Sequence, residues 1–153
     1  MKYTTEKPGP TSPKPTPRPG FFRRLAAMFY DAILLLAILF LATAIALPFN
    51  GGKAFTPDQY LYPAWLFLVS FLFYTWFWTH GGQTLGLKSW KMVLHTESGK
   101  TIGWPQACIR FFSALLSWAC LGLGFLWILI DPEKQAWHDK LSGTKLSLSE
   151  EQK

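Results

Sequence analysis

The sequence is poor in groups that form cross-links or bind metals. It contains two cysteines, Cys108 and Cys120. On one helix they would lie about 18 Å apart along the axis, which excludes a disulfide between them. The three histidines include no i, i+4 pair, so nothing favours a metal site. No nucleophile–base pair stands out either, and we therefore predict no enzyme, no cofactor and no bound metal.

Charge is scarce in three long stretches. Residues 25–47 are interrupted only by Asp31 and Thr43, while residues 61–78 and 111–130 carry no charge. About 20 apolar residues match the roughly 30 Å hydrocarbon core of a bilayer. We predict an all-α integral membrane bundle with three apolar spans, the third being either a simple crossing or a broken, re-entrant hairpin.

A basic stripe typical of nucleic-acid binding is missing, although the net charge is +6. The basic residues lie in the tails and loops that flank the apolar stretches, where they act as topology signals and contact lipid headgroups. Nucleic acid is therefore excluded as an expected partner. The expected partners are the lipid bilayer and either further copies of the chain or partner membrane subunits. Three short spans provide few helices to surround a transport pathway, so a pathway would need helices from other chains.

Composition also predicts the domain limits. Residues 1–20 form a proline-rich basic segment that cannot build a packed core, and we predict a disordered tail there. The transmembrane domain is predicted for residues 21–146, and a flexible C-terminal tail for residues 147–153.

The distribution of lysine predicts the orientation. The loop after the first span has only Lys53, whereas the loop after the second has Lys88, Lys91 and Lys100. The positive-inside rule then places the N-terminus of this multi-pass membrane protein in the cytoplasm. A straight third span would put the C-terminal tail outside. A break at the glycines of residues 122–124 would return it to the cytoplasm, and we favour the break, which requires that protein bury the irregular backbone.

Four charged residues are candidates for an ion or ligand pathway: Arg24, Asp31, Arg110 and Asp139. Charges in spans usually face the protein interior and mark a pathway or a pairing partner. Arg24 and Asp31 share a helix face but lie two turns apart, so each needs a partner from another segment. The alternatives are a membrane anchor for either arginine and a structural ion pair for Asp31. We predict that Arg24 meets Asp139.

The sequence does not decide which side chain lies beside Asp31. Arg110 is the candidate cation, which would make a structural clamp, whereas Thr84 or Tyr74 would leave a carboxylate able to carry a proton. Lys88 and His138 are, with Thr84, supporting candidates. The segment that contains Thr84, "HGGQTLGLKS", is not interpreted as a phosphate loop, because a leucine interrupts the required Gly-Lys-Ser and no strand precedes it.

Together these motifs resemble the RDD family of small bacterial membrane proteins. The resemblance covers roughly residues 20–146. It rests on the arginine and aspartate of the first span, "GGQTLGLK" after the second, Arg110 before the third and "DPEKQAWHDKLSGT" after it. It implies that the namesake arginine is Arg24 and that the two aspartates are Asp31 and Asp139. For the family as a whole, it implies an unknown molecular function, with transport suggested and cation/proton exchange proposed for some members.

The expected function is therefore transport of an ion or small ligand, with the membrane-embedded Asp31 as its site. The alternative is a non-catalytic membrane module that packs with or assembles partner membrane proteins. In that case the charged residues are internal clamps.

Overall fold

The computed structural model describes residues 17–149, and the rest of the two predicted tails lies outside these residues. Part of the predicted N-terminal tail packs with the domain. Pro19 is fully buried, and the carbonyl oxygen of Pro17 accepts a hydrogen bond from the backbone N–H of Leu148 (3.1 Å). The two ends of the described chain therefore meet, just outside the limits of 21 and 146 that composition predicted.

Within residues 17–149, two helices are long and apolar enough to cross a membrane. Helix α1 spans Phe21–Ala46 and continues into a 3-10 turn at Leu47–Asn50, and α2 spans Leu61–Thr79. The turn ends at Gly51, whose φ of 63° is a left-handed conformation that favours glycine. Both helices match the apolar stretches from which they were predicted.

The loop after α2 folds into a short helix and a strand. Helix α3 spans Leu85–Ser89, and strand β1 spans Met92–Thr96. Thr84 is the N-cap of α3, since its hydroxyl oxygen accepts a hydrogen bond from the backbone N–H of Leu87 (3.2 Å). This N-cap residue fixes where the chain turns after it leaves the second span.

The third apolar region is broken. Helix α4 spans Trp104–Ala119, helix α5 spans Leu123–Leu126, and the two halves of the region are bent by 105°. Gly122, the N-cap of α5, has a φ of 78°. A Cβ on Gly124 would lie 2.1 Å from Oγ of Ser117, so only glycine lets α5 fold back this closely on α4. The predicted break at residues 122–124 is confirmed.

After the bend the chain forms a last helix and strand. Helix α6 spans Trp137–Ser142, and strand β2 spans Thr144–Leu148. Strand β2 pairs antiparallel with β1, with Leu146 opposite Leu94. The spans are helical as predicted, but this two-stranded sheet was not predicted. We call α3, β1, α6 and β2 together the cap.

The main apolar core lies where the cap meets the spans. The inward side chains of the two strands pack against one end of the bundle, and the core consists of Ala27, Trp78, Met92, Leu94, Ile102, Ala107, Phe111 and Leu146. The cap therefore lies at the end of the bundle where α1 begins. Farther along the spans the outward side chains are apolar and exposed, as expected of a surface that faces lipid.

Candidate functional site

Asp139 lies at the centre of a buried charge cluster that joins three helices. Its side chain is fully buried, and it accepts hydrogen bonds from Nη1 of Arg24 on α1 (2.6 Å) and Nη1 of Arg110 on α4 (2.5 Å). The backbone N–H of Ala136 donates a third (3.1 Å). We call Arg24, Arg110 and Asp139 the arginine–aspartate cluster. The predicted contact between Arg24 and Asp139 is confirmed.

Two further acceptors orient the guanidinium groups. Arg24 Nη2 donates to the carbonyl oxygen of Lys134 (2.8 Å), and Arg110 Nη1 also donates to Oγ1 of Thr144 (2.8 Å). Neither acceptor was predicted. Lys134 acts through its backbone, and Thr144 begins a strand that the sequence did not reveal. The cluster thus fastens α1 and α4 to the segment that runs from the bend into the cap.

The protonation of the cluster follows from its burial and its charges. Burial alone would raise the pKa of Asp139, but the positive charges of Arg110 and Arg24 outweigh it and hold that pKa below its usual range. Burial lowers the pKa of the adjacent His138 to about 3, although its Nε2 lies 3.6 Å from Asp139 Oδ1. At neutral pH His138 is uncharged, so two arginines face one carboxylate and one positive charge is in surplus.

Asp31 lies in a different environment. It is 4% exposed, and its two oxygens accept hydrogen bonds from the Thr84 hydroxyl (2.5 Å) and the Gly86 backbone N–H (2.8 Å). A Cβ on Gly86 would lie 2.3 Å from the carbonyl oxygen of Ala27 and 2.8 Å from the Asp31 carboxylate. Only glycine allows the start of α3 to approach α1 so closely. We call Asp31, Thr84 and Gly86 the Asp31 site.

The suggestion that Arg110 is the cation for Asp31 is wrong. Arg110 binds Asp139 instead, because the bend after α4 brings α6, which carries Asp139, next to Arg110. Within residues 17–149, no lysine, arginine or histidine nitrogen lies within 4 Å of the Asp31 carboxylate. The neutral alternative, Thr84, is its partner. Lys88 is exposed on α3 and is not drawn into either group.

One cavity lies between the two groups. It has a volume of about 350 Å³, and both arginines, His138, Asp31 and Thr84 line it. Aromatic side chains make up much of the remaining wall: Phe29, Tyr74, Trp78, Phe111, Trp118 and Phe125. The Arg110 guanidinium lies 5.2 Å from the ring centre of Trp78, a cation–π contact. The cavity is therefore charged at defined points and apolar elsewhere.

Several polar side-chain atoms of the described residues are buried without a hydrogen-bond partner. Among residues 17–149 these are Nε of Arg24, Nε of Arg110, Nδ1 of His138 and Oγ of Ser117. A buried donor without a partner is destabilising, typically by about 1–3 kcal/mol. Three of the four belong to the charge cluster or to its neighbouring histidine. At that end of the cavity, the Nε–H groups of Arg24 and Arg110 are therefore hydrogen-bond donors without an acceptor among the described residues.

The geometry sets limits on the chemistry. In the part of the chain that the structure describes, no three His, Cys, Asp or Glu side chains are grouped so as to hold a metal ion. The arrangement offers a buried carboxylate without a counter-ion and a pair of arginines with one charge in surplus. Such groups bind ions and polar ligands.

The two apolar helices, the bent third region and the buried charges define a helical membrane protein with an internal polar site. The RDD family model matches residues 18–143, and the chain belongs to the RDD family. Comparisons with curated protein sequences and with solved structures give no further match. The match spans both arginines and both aspartates of the two groups described above.

Proposed function

We propose that the protein transports a small cation or proton across a membrane and that Asp31 is the residue that binds it. One observation carries the proposal. Asp31 lines the cavity between the spans, and no cation of residues 17–149 lies within 4 Å of it. Ionisable groups in that position characterise ion pathways and proton relays.

The neighbours of Asp31 suit reversible binding. Thr84 and Gly86 position the carboxylate without neutralising it, since a hydroxyl and an amide carry no net charge. A bound cation or proton supplies the missing positive charge and can leave again, whereas a fixed arginine could not. The arginine–aspartate cluster has a separate role in this proposal: it holds α1 and α4 against the cap while the ion moves.

The proposed setting is the inner membrane of a bacterium, with the cap on the cytoplasmic side. Lysines support this orientation, because the loop from α1 to α2 carries only Lys53 at the other end of the bundle. The lysines in the cap or the loop within it are Lys88, Lys91, Lys100, Lys140 and Lys145. This asymmetry is the one that the positive-inside rule describes.

The test is a flux assay on proteoliposomes that hold a trapped pH-sensitive dye, with imposed gradients of Na⁺, K⁺ or Li⁺. Asp31→Asn removes the charge and keeps the shape, so we expect it to abolish cation-dependent proton flux and to leave the protein folded. Asp58→Asn is the matched control, because Asp58 is exposed in the loop between the first two spans. Equal flux in Asp31→Asn and in the unaltered protein would refute the proposal.

A second candidate function, a module that packs with other membrane proteins, is favoured by the surface of α1. In its most apolar stretch of 18 residues, only 6% is buried. Large side chains protrude along it, with Phe22 82%, Phe29 69% and Phe40 70% exposed. Apolar side chains can face lipid or a neighbouring helix. Cross-linking in intact membranes, through single cysteines along α1 in a cysteine-free background, tests this: dimers confined to one face support packing, and monomers alone oppose it.

A further inference from the structure

The gap between α1 and α4 is a distinct feature of the bundle. Helix α1 packs on α2 and α3, and α4 packs on α2 and α6, but α1 and α4 share no extended packing with each other. Their main link is Asp139, which binds an arginine from each. The space between them is the cavity described above.

That cavity continues toward the bend. A second cavity of about 190 Å³ lies between α1 and the α4–α5 corner. The two share part of their walls, formed by Arg24, Leu25, Met28, Trp118, Phe125 and Ile128. Apart from Arg24, the side chains around the second cavity are apolar. We call the two cavities together the groove.

The groove has one charged end and one apolar end. At the charged end, the arginine–aspartate cluster carries one surplus positive charge, and Nε of both arginines is without a partner among the described residues. At the apolar end, Leu121, Leu123 and Leu126 around the corner are all more than 40% exposed. Arg24 is the fourth residue of α1, which places it near the headgroup level when α1 crosses a bilayer.

We propose that the groove binds one anionic phospholipid from the bilayer. The phosphate lies against Arg24 and Arg110, and an acyl chain runs between α1 and the α4–α5 corner into the membrane. The charge complementarity is direct, because the cluster lacks one negative charge and an anionic lipid supplies a net negative charge, whereas in phosphatidylcholine the choline cation cancels the charge of the same phosphate. Basic pockets between transmembrane helices bind acidic headgroups for this reason.

The ion site shares the first cavity with the lipid phosphate, but it contributes no group to lipid binding. Asp31 is held by α3 and does not line the second cavity, so its carboxylate is kept away from the acyl chain. Asp31→Asn should therefore retain the lipid whether or not it loses flux. Failure of the flux proposal and failure of the lipid proposal can in this way be told apart.

The experiment is native mass spectrometry of the full chain released from detergent, with phosphatidylglycerol and phosphatidylcholine of identical acyl chains. We expect one phosphatidylglycerol per chain, bound about tenfold more tightly than phosphatidylcholine, a difference of about 1.4 kcal/mol. Millimolar inorganic phosphate should not displace it. Equal binding of the two lipids, or displacement by phosphate alone, would overturn the proposal.

Substituting either arginine breaks a buried ion pair and destabilises the chain, so the decisive variants leave the cluster intact. Ala114→Trp fills the cavity from α4 and should lower phosphatidylglycerol binding at least to the level of phosphatidylcholine. Ala119→Trp adds the same side chain at an exposed position of α4 that lines neither cavity, and it should bind as the unaltered chain does. Equal losses in both variants would count against the groove.

The unaltered chain offers a second measurement. Trp118 lines both cavities, and bromine on an acyl chain quenches tryptophan fluorescence on contact. Brominated phosphatidylglycerol should quench more than brominated phosphatidylcholine in mixed vesicles, and Trp118→Phe should remove most of the difference. A difference that persists in Trp118→Phe would place the lipid elsewhere.

Discussion

The arginine–aspartate cluster and the Asp31 site both bury an aspartate between helices, yet they satisfy it by different means. Asp139 is surrounded by two arginines and a backbone amide. Asp31 is held by a hydroxyl and an amide, and no cation of residues 17–149 lies within 4 Å of it. A carboxylate bound to fixed arginines is a permanent link between helices. A carboxylate held by neutral donors keeps its place and remains available to a mobile charge.

The largest effect is expected where a fixed link is broken. Asp139→Ala leaves two buried arginines without a carboxylate, and removing one partner of a buried ion pair typically costs about 3–5 kcal/mol. Unfolding in detergent, followed by tryptophan fluorescence, measures this loss. Glu133→Gln, at an exposed position beside the cap, is the control. A loss under 1 kcal/mol for Asp139→Ala, as an order of magnitude for an exposed pair, would remove the distinction between the two sites.

A smaller loss is expected for Arg24→Ala, because Arg110 still neutralises Asp139. We expect about 1.5–3 kcal/mol, the range for a hydrogen bond to a charged group. A double-mutant cycle with Asp139→Ala separates the pair from each residue's other contacts. Strict additivity of the two variants would show that the contact contributes nothing of its own.

Part of this arrangement could be predicted from the sequence, and the reason is physical. Apolar length fixed α1 and α2, and the paired glycines 122 and 124 marked the bend, because bilayer thickness and backbone sterics act locally. The Arg24–Asp139 contact followed from that bend. The partner of Arg110 did not, since it depends on the direction in which the chain leaves the bend. Strands β1 and β2 were also missed, because each is only five residues long and the two lie far apart in the sequence. Leu94 pairs with Leu146, and the whole third apolar region lies between them along the chain.

The pH dependence of stability sharpens the comparison further. The pKa of His138 is about 3 in the folded chain, against an ordinary value of 6.5, so the unfolded chain binds more protons between these two values. Stability should therefore fall as pH falls from 6.5 toward 3, by at most about 1.4 kcal/mol per pH unit. Asp139, with its lowered pKa, adds to the loss below pH 4 as it is protonated. Urea unfolding at several pH values measures the slope.

His138→Gln is the comparison for that measurement. It removes the titrating ring, so its stability should be nearly level from pH 6.5 down to the range where carboxylates titrate. An unchanged slope in this variant would assign the pH dependence to other groups.

The smallest effect is expected at the Asp31 site. Thr84→Ser keeps the hydroxyl that donates to Asp31 and removes one buried methyl, which costs about 0.8 kcal/mol. Flux should persist in this variant and fall in Thr84→Val, which has a similar shape and no donor. If both variants transport equally, the hydroxyl does not position Asp31 for the ion.

The separation in sequence between Arg24 and Asp139, 115 residues, has a consequence for how the protein is made. Helix α1 leaves the ribosome and enters the membrane long before α6 has been synthesised. During that interval Arg24 cannot pair with Asp139. Arg110 is synthesised later, and it too has no partner until Asp139 follows. The contact closes only when the last helix arrives, so it distinguishes a finished chain from a truncated one.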